Sequence, residues 1–190
     1  GSEVTRFTVV TDTQTDEKML IAGLACCPSA AIVDFELTLS MPLRLTADTG
    51  IDSLTHAIEA YTAVDNATFP LPPGERTVYQ GRHPFGDMTA EKAITLIGQY
   101  LRRAVADGND LEAREGMALA ALLAGLAFSN VGVAVVHALE YPVGGAVHCS
   151  HGAGNGLLLP YVMQFNLPAR VKEFAAIARM LGENPVGLSD

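Results

Sequence analysis

Two histidines, His137 and His151, lie fourteen positions apart in a stretch that is otherwise almost uncharged. Each stands at the edge of an apolar, helix-like segment, and YPVGGAV between them contains one Pro and two Gly. Because these residues favour a turn, we expect a helix that ends near Tyr141, a loop, and a second helix that starts after His151. Both imidazoles would then face one point, and neutral imidazole is a common metal ligand. Two buried, hydrogen-bonded core histidines are the alternative.

A carboxylate and a third imidazole, Asp52 and His56, stand one helical turn apart in the segment IDSLTHAIEAYTAV. Apolar residues at helical spacing predict an amphipathic helix over 51–64 that carries both groups on one face. Many such pairs are simply solvated, but three imidazoles and a carboxylate in apolar segments are costly to bury unless paired or bound. One cation held by Asp52, His56, His137 and His151 would satisfy all four, and this donor set suits Fe²⁺, Zn²⁺, Co²⁺ or Ni²⁺ better than Ca²⁺ or Mg²⁺.

Composition excludes several classes of function. The 190 residues carry a net charge of −9, and Lys and Arg are scattered without a basic stripe, which argues against nucleic-acid binding. No apolar run reaches membrane-spanning length, and no signal peptide opens the chain. Three cysteines without zinc-finger spacing favour reduced thiols. We therefore expect a cytoplasmic protein with no membrane or nucleic-acid partner.

The elements that must position these side chains are mostly helical. Alternating Val, Thr and Phe predict a strand over 4–12, and KMLIA predicts a returning strand over 18–22, so a hairpin is expected. A third short strand is expected at 30–34 and a break at 46–50. The four prolines within 66–87 predict an irregular insertion, lid or partner surface. Helices are predicted over 51–64, 88–106, 111–129, 133–141, 152–165 and 168–181.

Several segments resemble the signatures of the iron-containing alcohol dehydrogenases: DSLTHAIEAY, GVAVVHALEYPVGG and HCSHGAGNGLLLPYVMQFN. The opening GSEVTRFTVVTD resembles the end of that family's TTxGTGSEVT segment, and PSAAIVDFELTLSMP resembles its conserved loop. In the family, the metal is held by the Asp and His of DxxxH, the His of GxxxxHA and the His of the HG turn. The resemblance therefore implies the ligands Asp52, His56, His137 and His151.

The resemblance also implies a fold and an activity. The fold is mainly α: a dehydroquinate synthase-like helical metal-binding domain at 37–190, preceded at 1–36 by a β-hairpin remnant of an α/β nucleotide-binding domain. The activity is NAD(P)-linked oxidation of a small alcohol, with Fe²⁺ or Zn²⁺ as Lewis acid, in a homo-oligomer. Lys18 matches a family lysine near the cofactor ribose, with a solvated edge-strand lysine as the alternative. The family's glycine-rich pyrophosphate loop is absent, so we expect this chain to be an inactive, self-associating part of a longer enzyme.

Other functions remain open. ERTVYQGRHPFGD and Tyr141-Pro142 resemble the hydroxyacid–oxoacid transhydrogenase branch of the family, in which Arg76, Arg82 and His83 would pair with substrate carboxylates. A surface loop with solvated charges is the alternative for those three residues. Glycerol dehydrogenases and dehydroquinate synthases use three zinc ligands, so the fourth ligand His56 speaks against them. A non-catalytic metal-binding fragment is the remaining alternative.

Overall fold

The computed structural model describes residues 1–15, 17–69, 74 and 78–184. Within them, the fold is mainly helical with one two-stranded sheet, as predicted. The strands are β1 Phe7–Thr11 and β2 Lys18–Ala22. The helices are α1 Leu43–Thr62, α2 Pro84–Ala106, α3 Leu111–Val131, α4 Val135–Val147, α5 His151–Asn166 and α6 Val171–Met180.

The core lies where α1, α2 and α3 pack together. Alanines at the contact faces, such as Ala57, Ala93 and Ala124, are fully buried, and Ile94 fills the space between helices. Small side chains let helix backbones approach closely, so this core holds α1 firmly, and α5 packs against α1 with α4 beside it. Among the described residues, no single helix has the length and hydropathy to span a membrane, although α3 and α4 together pass that test as a pair bent by 105°.

Polar side chains cap the N-termini of three of the helices. His83 precedes Pro84 and accepts the Gly86 N–H through Nδ1 at 3.3 Å at the start of α2. Asp110 accepts the Ala113 N–H at 3.0 Å at the start of α3, and Ser150 accepts the Ala153 N–H at 3.3 Å at the start of α5. Each cap satisfies a backbone donor that the helix itself leaves unpaired.

Two helices continue through residues predicted to break them. The break at 46–50 is wrong, because α1 begins at Leu43 and the buried Thr46 accepts a hydrogen bond from Arg114 at 2.8 Å. The turn near Tyr141 is also wrong, because α4 contains Pro142 and continues to Val147. Packing between α4 and α5 outweighs the local preference of Pro and Gly. The chain reverses instead at His148, whose φ of 50° is left-handed.

The β-structure is smaller than predicted. β1 and β2 pair antiparallel with Phe7 opposite Ala22, but β1 starts at Phe7 because Ser2–Val4 form a 3₁₀ turn. The third strand at 30–34 is wrong: this stretch is irregular, and Ile32 is 93% exposed. A strand forms only where a neighbour supplies hydrogen-bond partners, and none of the described residues does so for 30–34.

Candidate metal centre

The structure brings Asp52 and His56 of α1 together with His137 of α4. One potential ligand atom from each residue lies within 4.8 Å of the other two. The i, i+4 spacing predicted from the sequence places His56 Nε2 at 3.8 Å from Asp52 Oδ2. His137 Nε2 approaches the same carboxylate, at 3.6 Å from Oδ1. These are separations that a single cation between the groups can span.

His151 completes the group from a third helix. It is the first residue of α5, and its Nε2 lies 3.6 Å from Asp52 Oδ1. Its side chain is 38% exposed, whereas those of His56 and His137 are largely enclosed. Gly152 makes this approach possible, because a Cβ there would lie 1.9 Å from the Asp48 carbonyl oxygen of α1. The three predicted histidines therefore surround Asp52, with His56 and His137 enclosed and His151 at the more open side.

Stacked rings fix the orientation of the imidazoles. His56 lies between Phe128 and His137, with ring-centroid distances of 4.2 and 4.7 Å. Phe7 of β1 stacks on Phe128 at 5.8 Å and extends the row to the hairpin. His137 meets His151 edge-on at 5.3 Å. This packing removes rotational freedom from the rings before any ligand binds.

Two buried glutamates, missed at the sequence level, bind the outer nitrogens of the histidines. Glu59 Oε2 lies 2.5 Å from His137 Nδ1, and its Oε1 accepts the Val136 N–H at 2.7 Å near the start of α4. Glu140 Oε2 lies 2.5 Å from His151 Nδ1. A carboxylate at Nδ1 keeps the proton there and leaves the Nε2 lone pair free to face Asp52. The signal in the sequence is an acid three residues after His56 and another three after His137, each in an apolar helix.

Asn155, also missed, fills the space between the potential ligands. Its Nδ2 lies 2.7 Å from Asp52 Oδ1 and 3.2 Å from Nε2 of both His137 and His151. Its Oδ1 is buried without a hydrogen-bond partner. One turn separates Asn155 from His151 on α5, which is the sequence signal for its position. Three acceptors converge on one amide, more than its two N–H groups can satisfy.

The pKa values of the three enclosed groups, Asp52, His56 and His137, are shifted in different ways. Burial raises the pKa of Asp52, but the nearby histidines outweigh burial and hold it well below its usual range. Burial lowers the pKa of His56 to about 3, so this imidazole is neutral at pH 7. Burial also opposes charge on His137, but hydrogen bonds to Asp52 and Glu59 raise its pKa to about 9. The site therefore contains an ionised carboxylate on Asp52, a neutral imidazole on His56 and an imidazole on His137 that favours the protonated form.

The charges and the potential ligand atoms of this site fit a divalent cation. Three carboxylates, those of Asp52, Glu59 and Glu140, face one ammonium, that of Lys18, so two negative charges are left for the imidazoles or a bound cation to balance. Three imidazole nitrogens and one carboxylate oxygen match the preferences of Fe²⁺ and Zn²⁺. The unpartnered Oδ1 of Asn155 and the converging Nε2 atoms indicate that the protein's own groups do not satisfy this site.

An apolar cavity opens onto these residues. It has a volume of about 490 Å³ and is lined by Asp52, His56, His137 and His151 on one side. Hairpin side chains and the α3–α4 region supply the larger apolar and aromatic part of the wall, and N-terminal polar residues also line it: Phe7, Val9, Leu20, Phe128, Val133 and Tyr141, with Ser2, Glu3, Thr5 and Thr8. A mainly apolar cavity with a few convergent polar groups is the usual form of a small-molecule site.

Lys18 has a partner that the sequence did not indicate. Its ammonium lies 3.2 Å from Glu140 Oε1, across 122 residues of sequence. The alternative of a solvated edge-strand lysine is therefore wrong, because the group is paired with a fully buried carboxylate. The role at the cofactor ribose stays a prediction.

Two of the residues predicted to bind substrate carboxylates, Arg82 and His83, have partners within the chain. Arg82 Nε donates to Asp87 at 2.8 Å and Nη1 donates to Glu173 at 2.6 Å, so its charge is neutralised within the chain. His83 caps α2, and neither residue lines the cavity beside the histidines. Arg76 lies outside the described residues. Carboxylates of the same chain thus bind the Arg82 guanidinium in this structure, and the substrate role of Arg76, Arg82 and His83 stays a prediction.

Comparison with known proteins finds similar alcohol dehydrogenases. The chain is 44% identical over 189 residues to the 1,3-propanediol dehydrogenase of Klebsiella pneumoniae, covering 100% of this chain and 45% of that protein. It is 43% identical over 189 residues to the NAD-dependent methanol dehydrogenase of Bacillus methanolicus, again covering 100% of this chain and 45% of the relative. The structure of an alcohol dehydrogenase from Oenococcus oeni superposes with a TM-score of 0.86 at 39% identity, covering 100% of this chain and 45% of that one.

The chain thus spans less than half the length of these relatives. The sequence profile described as the Fe-containing alcohol dehydrogenase family, C-terminal, matches residues 75–190, which is more than half of the chain. The chain belongs to the Fe-containing alcohol dehydrogenase family.

Proposed function

We propose that this chain carries the metal site of an NAD(P)-linked dehydrogenase that interconverts a small alcohol and its aldehyde or ketone. The observation that carries the proposal is the convergence of Asp52, His56 and His137, with His151 beside them, on one edge of an apolar cavity. The names of the relatives, a propanediol and a methanol dehydrogenase, support a small alcohol as substrate.

The chain's own residues would divide the work. Asp52, His56, His137 and His151 would hold Fe²⁺ or Zn²⁺, which when bound supplies a Lewis acid for the substrate oxygen. NAD(P), when bound, supplies the hydride acceptor. Glu59 keeps His137 in the tautomer whose Nε2 faces the site. These contacts pre-organise the site so that little rearrangement is needed during the reaction.

The cavity wall would orient the carbon chain of the alcohol and exclude water. Phe128 of α3 and Val133 line the cavity beside the imidazoles, and Leu20 of β2 lines it from the hairpin. Apolar walls favour a substrate that presents one hydroxyl and a short hydrocarbon part. Exclusion of water strengthens every electrostatic contact at the reacting oxygen.

Metal binding and turnover together test the proposal. The protein encoded by the complete reading frame should be prepared metal-free, reloaded anaerobically with Fe²⁺, and assayed with NAD⁺ or NADP⁺ and 1,3-propanediol, methanol or 4-hydroxybutyrate. We expect about one metal ion per chain and reduction of the cofactor with an alcohol. The variant Asp52→Ala should lose both.

A matched control uses the exposed His148, which lies three residues before His151. His148→Asn suits the left-handed backbone at this position and should leave metal content and turnover unchanged. Absence of bound metal in the wild-type protein, or equal turnover in Asp52→Ala, would contradict the proposal.

A further inference from the structure

We propose that Glu140 is the positioning residue of His151 and that Lys18 anchors Glu140 from the β-hairpin. The inference rests on the proposed metal site. Glu140 is fully buried on α4, and its two oxygens have different partners. Oε2 lies 2.5 Å from His151 Nδ1, and Oε1 lies 3.2 Å from Lys18 Nζ. One carboxylate thus connects a potential ligand on α5 with a charge on β2.

The fold clears space for this carboxylate. A Cβ at Gly144 would lie 2.2 Å from Glu140 Oε1 and 2.7 Å from Lys18 Nζ. A Cβ at Gly154 on α5 would lie 2.9 Å from Glu140 Cγ. Glycines on both α4 and α5 therefore border the Glu140 side chain, so two helices leave room for the carboxylate and its partners. A larger residue at either position would displace the carboxylate or its partner.

Charge explains why Lys18 is needed. A buried carboxylate without compensation is strongly disfavoured, and a hydrogen bond from a neutral imidazole does not supply a positive charge. The Lys18 ammonium supplies it from one side, while the other oxygen of Glu140 accepts the Nδ1 proton of His151. Nε2 of His151 then keeps its lone pair toward Asp52, at 3.6 Å from Oδ1.

His151 depends on this arrangement more than His137 does. His137 is enclosed, stacks on His56 and is held by Glu59, which is itself fixed by the Val136 N–H. His151 is the first residue of its helix, and its side chain is 38% exposed. Without Glu140, the ring would lose the partner of its Nδ1 and could change tautomer, so loss of the carboxylate should act on the ligand atom and not only on stability.

The central test compares Glu140→Gln with the wild-type chain. Long-range nitrogen–proton NMR correlations of the metal-free protein report which nitrogen of His151 carries the proton. We expect Nδ1–H in the wild type and a mixture with Nε2–H in Glu140→Gln. Co²⁺ titration should show affinity weakened by about 10- to 100-fold, the usual effect of losing a ligand's carboxylate partner, with a changed Co²⁺ absorption spectrum.

Two further variants separate positioning from folding. Gly144→Ala retains the carboxylate but displaces it, so it should change the His151 resonances and weaken Co²⁺ binding in the same direction. Lys18→Met removes the anchoring charge and should have a smaller effect than Glu140→Gln. The matched control is Glu91→Gln, elsewhere in the helical bundle. The wild-type Glu91 carboxylate accepts a hydrogen bond from Tyr61 Oη at 2.9 Å, and its replacement should change neither readout.

The outcomes are distinguishable. If the wild-type chain does not bind Co²⁺, the proposed metal site fails, while the His151 tautomer in Glu140→Gln still decides the role of Glu140. If Glu140→Gln keeps both the wild-type tautomer and the wild-type Co²⁺ affinity, the positioning role is overturned. If the His151 resonances are unchanged in both Lys18→Met and Gly144→Ala, the proposed anchoring of Glu140 by Lys18 is overturned.

Discussion

Two clusters of charged and titratable groups in this molecule differ in how the chain itself compensates their charge. The arginine cluster consists of Arg82, Arg170, Asp65, Asp87 and Glu173. Arg82 bonds Asp87 and Glu173 at 2.8 and 2.6 Å, and Arg170 approaches Asp65 at 3.3 Å. Guanidinium and carboxylate groups alternate, and the Arg82 side chain is only 16% exposed. Each guanidinium lies within 3.9 Å of at least two carboxylates of the same chain, and the Asp65 side chain is 51% exposed to solvent.

The histidine cluster, Asp52, His56, His137 and His151, is built differently. Its only carboxylate faces three imidazoles, and Glu59 and Glu140 behind the rings add further negative charge. Carboxylates therefore outnumber the one ammonium beside them, and a protonated imidazole or a metal cation placed among them would balance the charge. The comparison teaches that burial of polar groups does not itself mark a functional site. The informative feature is the charge that the surrounding chain leaves uncompensated.

The largest effect should come from His137→Ala. Loss of one inner ligand should weaken Co²⁺ binding by more than about 100-fold, beyond what loss of a ligand's carboxylate partner costs. Isothermal titration measures the affinity, and circular dichroism should show that the helices remain, because α4 still packs on α5. Unchanged affinity would mean that the histidine cluster does not bind metal and that its contrast with the arginine cluster is mistaken.

Arg82→Met should show the opposite pattern. Breaking a partly buried ion-pair cluster lies between the exposed and fully buried cases, so we expect unfolding free energy to fall by about 1–3 kcal/mol. Co²⁺ affinity should not change, because Arg82 does not line the cavity. Urea denaturation measures the stability, and Arg44→Met is the control, since that side chain is 83% exposed. Weaker Co²⁺ binding in Arg82→Met would show that the two clusters are coupled.

Acid should reduce the stability difference between the wild type and Arg82→Met. Burial raises the pKa of Glu173, but a backbone hydrogen bond and Arg82 lower it below its usual 4.5. A lowered carboxyl pKa gives stability that is present above about 4.5 and is lost as pH falls through the folded-state value. Denaturation at pH 7 and at pH 3 should show the gap narrowing toward acid. A gap that widens in acid would contradict the role of the Arg82–Glu173 pair.

The smallest effect should come from Tyr61→Phe. The ring of Tyr61 lies under Arg82, with the guanidinium carbon 4.8 Å from its centroid, and its hydroxyl donates to Glu91 at 2.9 Å. Phe keeps the ring and removes one hydrogen bond, so the unfolding free energy should fall by only about 0.5–1.5 kcal/mol. Thermal denaturation measures this, with Glu91→Gln as the paired variant. If Tyr61→Phe lowers the unfolding free energy as much as Arg82→Met does, the Tyr61 hydroxyl contributes as much stability as the ion pairs of Arg82.

The sequence by itself determined the local part of the site. Helical periodicity fixes the relative placement of Asp52 and His56, because residues four apart share a face whatever surrounds the helix. The histidine-bearing segments around His137 and His151 are also recognisable, since each is an apolar run long enough for a helix. Their motifs sufficed to indicate the family and the mainly helical fold.

The tertiary structure decided how these local pieces are oriented and balanced. Lys18 meets Glu140 across 122 residues, Glu59 meets His137 across 78, and Arg82 meets Glu173 across 91. No periodicity encodes such pairs, because they depend on how the helices pack. For the same reason α4 continues through Pro142: local preferences of about 3 kcal/mol or less are overridden when a helix face is buried against its neighbours.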